Sequence, residues 1–190
     1  MPSPFWHFKG SLGSKEGKWE MESNLDSLDS LISFDETVAV EKEFITGPAG
    51  SGKTYMVRKR PNIILTATTG IAAVNLGDGC RTINSLLGFY DVASLRESMR
   101  SEVIYNMFWR MRTLYPNAKE VATDEASMLS AEMVDLLKEV FDKSGGLKWT
   151  LIGDFAQLPP VSRMGSQVKW AFEAKCWPEF RVTQLNKIWR

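Results

Sequence analysis

Glu43-Phe44-Ile45-Thr46 runs directly into Gly47-Pro48-Ala49-Gly50-Ser51-Gly52-Lys53-Thr54, and Tyr55-Met56-Val57-Arg58-Lys59 follows before Pro61. The middle eight residues fit G-x-x-x-x-G-K-[ST] at every fixed position, the pattern of a loop that cradles phosphate groups. Glycines let such a backbone approach a ligand without a Cβ in the way. Its N–H groups and the following helix N-terminus then face an anion. The flanks agree: a short apolar strand enters the loop, and a helix leaves it until Pro61 stops it. A chance match in a chain of this length is on the order of one in a hundred. On this pattern Gly47 to Thr54 form the nucleotide-phosphate cradle. Lys53 reaches the β- and γ-phosphates, and the Thr54 hydroxyl ligates Mg2+.

Beyond Thr54 the chain alternates. Residues 62–67 (N-I-I-L-T-A) read as a strand, and Thr69 caps a helix that Gly77 and Gly79 end. Residues 94–114 read as one long helix, and residues 121–123 as a weak strand entering Asp124-Glu125. Residues 131–143 carry Met133, Leu136, Leu137, Val140 and Phe141 at helical spacing. Residues 149–152 and 182–185 complete the strands. The alternation predicts an α/β fold with a mostly parallel sheet and helices on both faces. Residues 1–42 differ. The first twenty predict a flexible or loosely docked tail, and Leu25, Leu28, Leu31 and Ile32 predict a short amphipathic helix. Residues 43–190 form the predicted nucleotide-binding domain.

The chain has 190 residues, 44% hydrophobic and 24% charged, with a formal net charge of zero. This suits one ordinary domain with a tail and supplies no global basic field for nucleic acid. Cys80 and Cys176 stand alone and His7 is the only histidine, which argues against a Cys/His zinc site or a His-dependent triad. No run approaches about 18 apolar residues, the length of a spanning helix. Among the seven tryptophans, Trp109, Trp149, Trp170 and Trp177 sit in apolar contexts and read as core or interface residues. Arg58-Lys59-Arg60 with Arg96, Arg100, Arg110 and Arg112 read as solvated helix charge, with a basic face as the alternative.

A phosphate loop needs an acid at the end of another strand to hold the metal. Asp124-Glu125 is the best candidate, with Asp124 on the metal and Glu125 as general base on water. A second apolar strand ends in Gly153-Asp154, followed by Phe155-Ala156-Gln157 and two prolines. Open α/β sheets bind ligands at the carboxyl ends of their strands, so Gln157 can reach the γ-phosphate or the attacking water.

These blocks occur in order with T-A-T-T-G-I-A-A-V-N-L-G, T-I-N-S-L-L-G, F-E-A-K-C-W and Q-L-N-K-I-W-R. Together they resemble the first RecA-like domain of superfamily 1 DNA helicases. The branch is the 5′-to-3′ one of RecD, phage Dda and the petite integration frequency helicases, the last group being the most similar. The resemblance covers residues 44–190. It implies ATP and Mg2+ as cofactors, single-stranded DNA as partner, and ATP hydrolysis driving 5′-to-3′ translocation. It makes Lys53 and Thr54 motif I, Asp124 and Glu125 motif II, and Gln157 the motif III sensor. It assigns Thr66, Thr68, Thr69 and Gly70, with Asn84, Ser85 and Phe89, to DNA contact, and Arg190 to a γ-phosphate sensor. Asn84 stands where the family has His, and no Gln precedes the phosphate loop to read adenine. A second RecA-like domain is expected beyond Arg190, which makes this chain a fragment by expectation, with a degenerate homologue as the alternative. An accessory module that binds nucleotide or single strands without turnover is the alternative, and a nucleotide kinase a more distant one. An intracellular location is expected: cytoplasm in a bacterial or phage-infected cell, nucleus or mitochondrion in a eukaryote.

Overall fold

The computed structural model describes residues 6–9, 18–21, 40–100, 103–144, 146–157, 160 and 169–188. The chain divides into two units, Met1–Glu36 and Thr37–Arg190. In the first, β1 (Trp6–Lys9) and β2 (Lys18–Met21) pair antiparallel, with Trp6 opposite Met21 and Phe8 opposite Trp19. Both strands lie within the segment expected as a flexible or loosely docked tail, and both alternate polar and apolar residues, the period of a strand. The expected amphipathic helix at Leu25 to Ile32 lies outside the described residues.

The second unit holds β3 (Lys42–Thr46), β4 (Ile63–Ala67), β5 (Arg81–Thr82), β6 (Glu120–Asp124), β7 (Lys148–Ile152) and β8 (Arg181–Gln184). They form one sheet in the order β5-β4-β6-β7-β3-β8, with every neighbouring pair parallel. Parallel neighbours need crossovers, which helices supply. They are α1 (Lys53–Arg58), α2 (Gly70–Leu76), α3 (Ile83–Leu87), α4 (Val92–Arg100), α5 (Val103–Leu114) and α6 (Ala131–Asp142). Several helix starts follow from one residue each. Thr69, Thr82 and Ser130 accept from Ala72 N, Ser85 N and Met133 N, while Asp91 accepts from Ser94 N.

The segment expected as one long helix over 94–114 holds α4 and α5, with residues 101–102 between them outside the described residues. Leu95, with Val92 and Met99, faces the core from α4, whereas Ile104, Met107, Phe108 and Met111 do so from α5. At 3.6 residues per turn, Met99 and Ile104 lie about 140° apart on one continuous helix. α4 and α5 thus present separate apolar stripes to the same core cluster. Met107 and Met111 are core fillers, as their neighbours in sequence suggest, but Trp109 is 61% exposed on the outer face of α5.

The polar-looking strand before Asp124 is a central one. Thr66 on β4 donates to Ala122 O at 2.8 Å and lies 3.1 Å from the Thr123 hydroxyl. At the amino ends of the strands, Arg60 donates to Glu43 at 2.9 Å and to Glu120 at 2.7 Å, and Thr150 donates to Glu120 at 2.6 Å. Lys148 adds a 2.9 Å contact to Glu43, and Thr183 a 3.0 Å one. Buried charges persist where hydrogen-bonded partners surround them. The Arg58-Lys59-Arg60 run is therefore no basic face: Arg60 turns inward to these acids, and Arg58 donates to Leu76 O.

Candidate active site at the carboxyl ends of the strands

The turn from β3 into α1 is fixed from both sides. Leu185 N donates to Thr46 O at 2.8 Å, so the end of β8 closes over the loop entrance. Gly47 has φ +148°, and a Cβ there would run into the Leu185 carbonyl. Gly47→Ala is therefore expected to push the loop off β8, lowering both thermal stability and nucleotide affinity. Thermal unfolding with and without nucleotide checks this; an unchanged ligand-induced shift would show that the loop tolerates the methyl group. Gly52 supplies a left-handed N-cap, and no side chain competes for the first amides of α1.

The residues expected to hold nucleotide and metal converge. The Thr54 hydroxyl donates to Asp124 Oδ2 at 2.7 Å, joining two residues seventy positions apart in sequence. Asp124 Oδ1 accepts from Glu125 N at 2.9 Å, and Asp124 O accepts from Thr68 N at 3.1 Å. Glu125 has φ +57°, a left-handed conformation rare for a side-chain-bearing residue and concentrated at functional sites. Thr68 secures it by donating to Glu125 O at 3.1 Å. Burial, then the Asp124 charge and more weakly Asp154, push the Glu125 carboxyl up, while Lys53 pulls it down. Upward tuning suits a carboxylate that takes a proton from water.

Lys53 Nζ donates to Gly47 O at 2.5 Å and Pro48 O at 3.2 Å, within electrostatic reach of Glu125 and Asp154. Asp154, two residues past the end of β7, is the second acid that the sequence marks, though without a role assigned to it there. The rule that finds Asp124, an acid just past an apolar strand, also finds it. Its Oδ1 accepts from Ala156 N at 3.0 Å and its Oδ2 from the Gln157 amide at 3.1 Å. The Ala156 amide holds its carboxyl below the usual range against a small opposing effect of burial, helped by Gln157 and Lys53. The two acid-bearing strands meet closely: a Cβ on Gly153 would lie 3.1 Å from Ser127 N, so only glycine fits there without movement.

A cleft of about 330 Å3 opens beside these groups, lined by Thr54, Tyr55, Arg58, Asn75, Asp124 and Glu125 among others. A roomier hollow of about 570 Å3, at Asn62, Arg112 and Lys119, belongs to the opposite end of the sheet and holds none of this chemistry.

Two of the expected DNA-contact residues are placed in the interior. Thr66 is fully buried and Phe89 is only 3% exposed, packed in the main core cluster. Thr66 instead ties β4 to β6, and Phe89 anchors the turn after α3. Tyr90, 91% exposed, follows Phe89 on that turn. Its carbonyl accepts from Asn84 Nδ2 at 3.0 Å, so Asn84 fixes the turn itself. Thr69 caps α2, Gly70 opens it, and Ser85 lies exposed on α3. Arg190 lies outside the described residues.

Mg2+ prefers oxygen ligands about 2.0–2.1 Å away at octahedral geometry, with neighbouring ligands about 2.9 Å apart. The Thr54 and Asp124 oxygens stand at nearly that separation. Among the described residues no group of three or more His, Cys, Asp or Glu forms a metal cluster. The pair thus fits an ion that takes its other ligands from phosphate and water, as Mg2+ does. Among the same residues no helix is long and apolar enough to cross a membrane.

A phosphate loop after β3, an acid pair at the end of β6 and a third acid just past β7, the strand between them, define a RecA-like P-loop domain. The model of the PIF1-like helicase family matches residues 28–190, and the chain belongs to that family. It is 35% identical over 171 residues to the ATP-dependent DNA helicase PIF1 of Saccharomyces cerevisiae, covering 77% of this chain and 19% of that protein. The human protein of the same name is 30% identical over 162 residues, covering 77% of this chain and 24% of it. The chain thus spans about a fifth to a quarter of these relatives. The Candida albicans Pif1 helicase crystal structure superposes with a TM-score of 0.59 at 28% identity, over 87% of this chain and 39% of that one. Pif1 of a Bacteroides species in complex with ADP-AlF4 gives 0.57 at 28% identity, over 87% of this chain and 42% of that one. The Bacteroides protein bound to single-stranded DNA gives 0.57 at 27%, over 88% and 42%.

Proposed function

We propose that this chain is the first motor domain of an ATP-dependent DNA helicase that moves 5′ to 3′ on single-stranded DNA. The Thr54–Asp124 hydrogen bond carries the proposal, because it unites the phosphate loop with the acid that the chemistry requires. The relatives' names, and the Bacteroides structures with ADP-AlF4 and with single-stranded DNA, support the same reading. In it, the loop amides and Lys53 hold the β- and γ-phosphates of ATP. Thr54 and Asp124 hold Mg2+, which when bound neutralises charge on the phosphates. Glu125 takes the proton of the attacking water, and Gln157 senses the γ-phosphate. Arg190 completes the sensor by family resemblance, since a guanidinium stays charged and binds phosphate oxygens bidentately. Residues 43–190 form the nucleotide domain, and a second RecA-like domain of the full-length protein closes over it. Translocation then follows from nucleotide-driven closure of the two domains.

The test is ATP turnover by the full-length protein. Lys53→Ala is expected to reduce it at least about a hundredfold, the scale of losing one pre-organised charge at a transition state. Near-normal turnover would remove the phosphate loop from the chemistry. A 5′-tailed duplex is expected to be unwound and a 3′-tailed one left intact; the reverse preference would overturn the polarity.

A further inference from the structure

Gln157 can sense a phosphate only if its turn keeps both its shape and its place. The shape is internal. Asp154 accepts from the Ala156 amide, from the Gln157 side chain, and, through its own carbonyl, from Gln157 N at 3.0 Å. None of these bonds ties the turn to the phosphate loop. Ala156 and Gln157 are exposed, whereas the half-buried Phe155 packs its ring against the main core cluster.

That ring enters a box of four others. Its centroid lies 4.9 Å from Phe172, 5.2 Å from Phe44, 5.6 Å from Trp177 and 6.2 Å from Trp170. Phe172, Trp177 and Trp170 meet it edge-on, at interplanar angles of 86°, 65° and 80°. Edge-to-face contacts are directional, so they fix orientation as well as burial. Phe44 sits on β3, three residues ahead of Gly47 on the strand that delivers the phosphate loop. A backbone bond from Gly153 N to Ile45 O at 3.1 Å holds the base of the turn to that strand, and the Phe155–Phe44 contact adds a side-chain connection beyond it, next to Gln157.

We propose that Phe155 is a positioning residue for ATP hydrolysis: its ring holds Gln157 in place relative to the phosphate loop. The inference rests on the helicase reading and assigns a role within its active site. Displacing a reacting group by about 1 Å can cost up to about a hundredfold in rate. Binding made by the loop amides does not pass through this turn.

The experiment is steady-state ATP hydrolysis by the full-length protein with single-stranded DNA, alongside binding of a fluorescent ATP analogue. Phe155→Ala is expected to lower kcat about tenfold or more, with analogue affinity changed less than about threefold. Phe155→Tyr, which keeps the ring, restores most of kcat. Adding Gln157→Ala to Phe155→Ala is expected to cost less than about twofold further, because the two act as a unit. If Phe155→Ala does not fold, Phe172→Ala serves: it removes one ring from the rim of the box, where Phe172 is 44% exposed. Its smaller loss of kcat is likewise expected to vanish in a Gln157→Ala background. A folded variant with unchanged kcat, or losses that multiply with Gln157→Ala, overturns the inference while leaving the ATPase reading intact. A wild-type protein without turnover overturns both.

Discussion

Glu125→Gln is expected to leave ATP binding within a few-fold of wild type and to lower turnover by roughly a hundred- to a thousandfold, the contribution of a positioned general base. The substitution is nearly isosteric. It keeps the backbone device that presents the side chain: the left-handed φ of +57°, the amide on Asp124 Oδ1 and the carbonyl under Thr68. What it removes is the ability to accept a proton. Under the proposed function binding survives, because that reading gives the phosphates to the loop, Lys53 and the Thr54–Asp124 pair, none of which the substitution alters. Equilibrium titration with an ATP analogue, paired with single-turnover hydrolysis, separates the two quantities. Loss of binding would assign Glu125 to the architecture of the site, and turnover within about threefold of wild type would deny it the proton.

Arg60→Met is expected to destabilise the second unit by about 3 kcal/mol, the low end for breaking a buried ion pair. For a domain of this size that lowers the melting temperature by roughly 6–12 °C. Met fills similar space, so the cost falls on the acids left behind. Glu120 keeps the Thr150 hydroxyl, and Glu43, only 3% exposed, keeps Lys148 and Thr183, which is why a larger loss is not expected. Burial alone would raise the Glu43 carboxyl, yet hydrogen bonds from Lys148, Arg60 and Thr183 and the Arg60 charge bring it from 4.5 down to about 2. The sign follows. A carboxyl lowered by folding stabilises fully above its ordinary value, and the contribution is lost as pH falls from about 4.5 toward 2. In Arg60→Met the same carboxyl titrates higher, so the deficit against wild type narrows over that window. Urea unfolding at pH 7 and at pH 4 measures both effects. A loss below about 1 kcal/mol at pH 7, the scale of an exposed pair, would contradict the buried network.

Local chemistry determined a good deal from the sequence alone. Phosphate-loop glycines, caps such as Thr69, and the 3.6-residue stripe of residues 131–143 act within one turn or loop. The pattern that announces them therefore lies inside the segment it shapes. The apolar strand leading to Gly153-Asp154 was legible for the same reason, and strand ends of a parallel sheet are where ligands bind.

Tertiary structure alone decided what depends on partners far away in the chain. Glu120-Val121-Ala122-Thr123 reads as a weak strand because its polar residues find their partners on other strands and on Arg60, sixty positions earlier. Arg60 looks like one charge of a basic run until Glu43 and Glu120 claim it. Nothing in Leu-Gly-Phe-Tyr shows that Phe89 fills the core while Tyr90 faces water, since α5 packs over the turn only once the sheet has formed. Likewise, Thr54 and Asp124 become one site only when β3 and β6 take their places on either side of β7. A polar side chain is buried where the fold brings it a partner, and the distance between them along the chain decides whether the sequence reveals it.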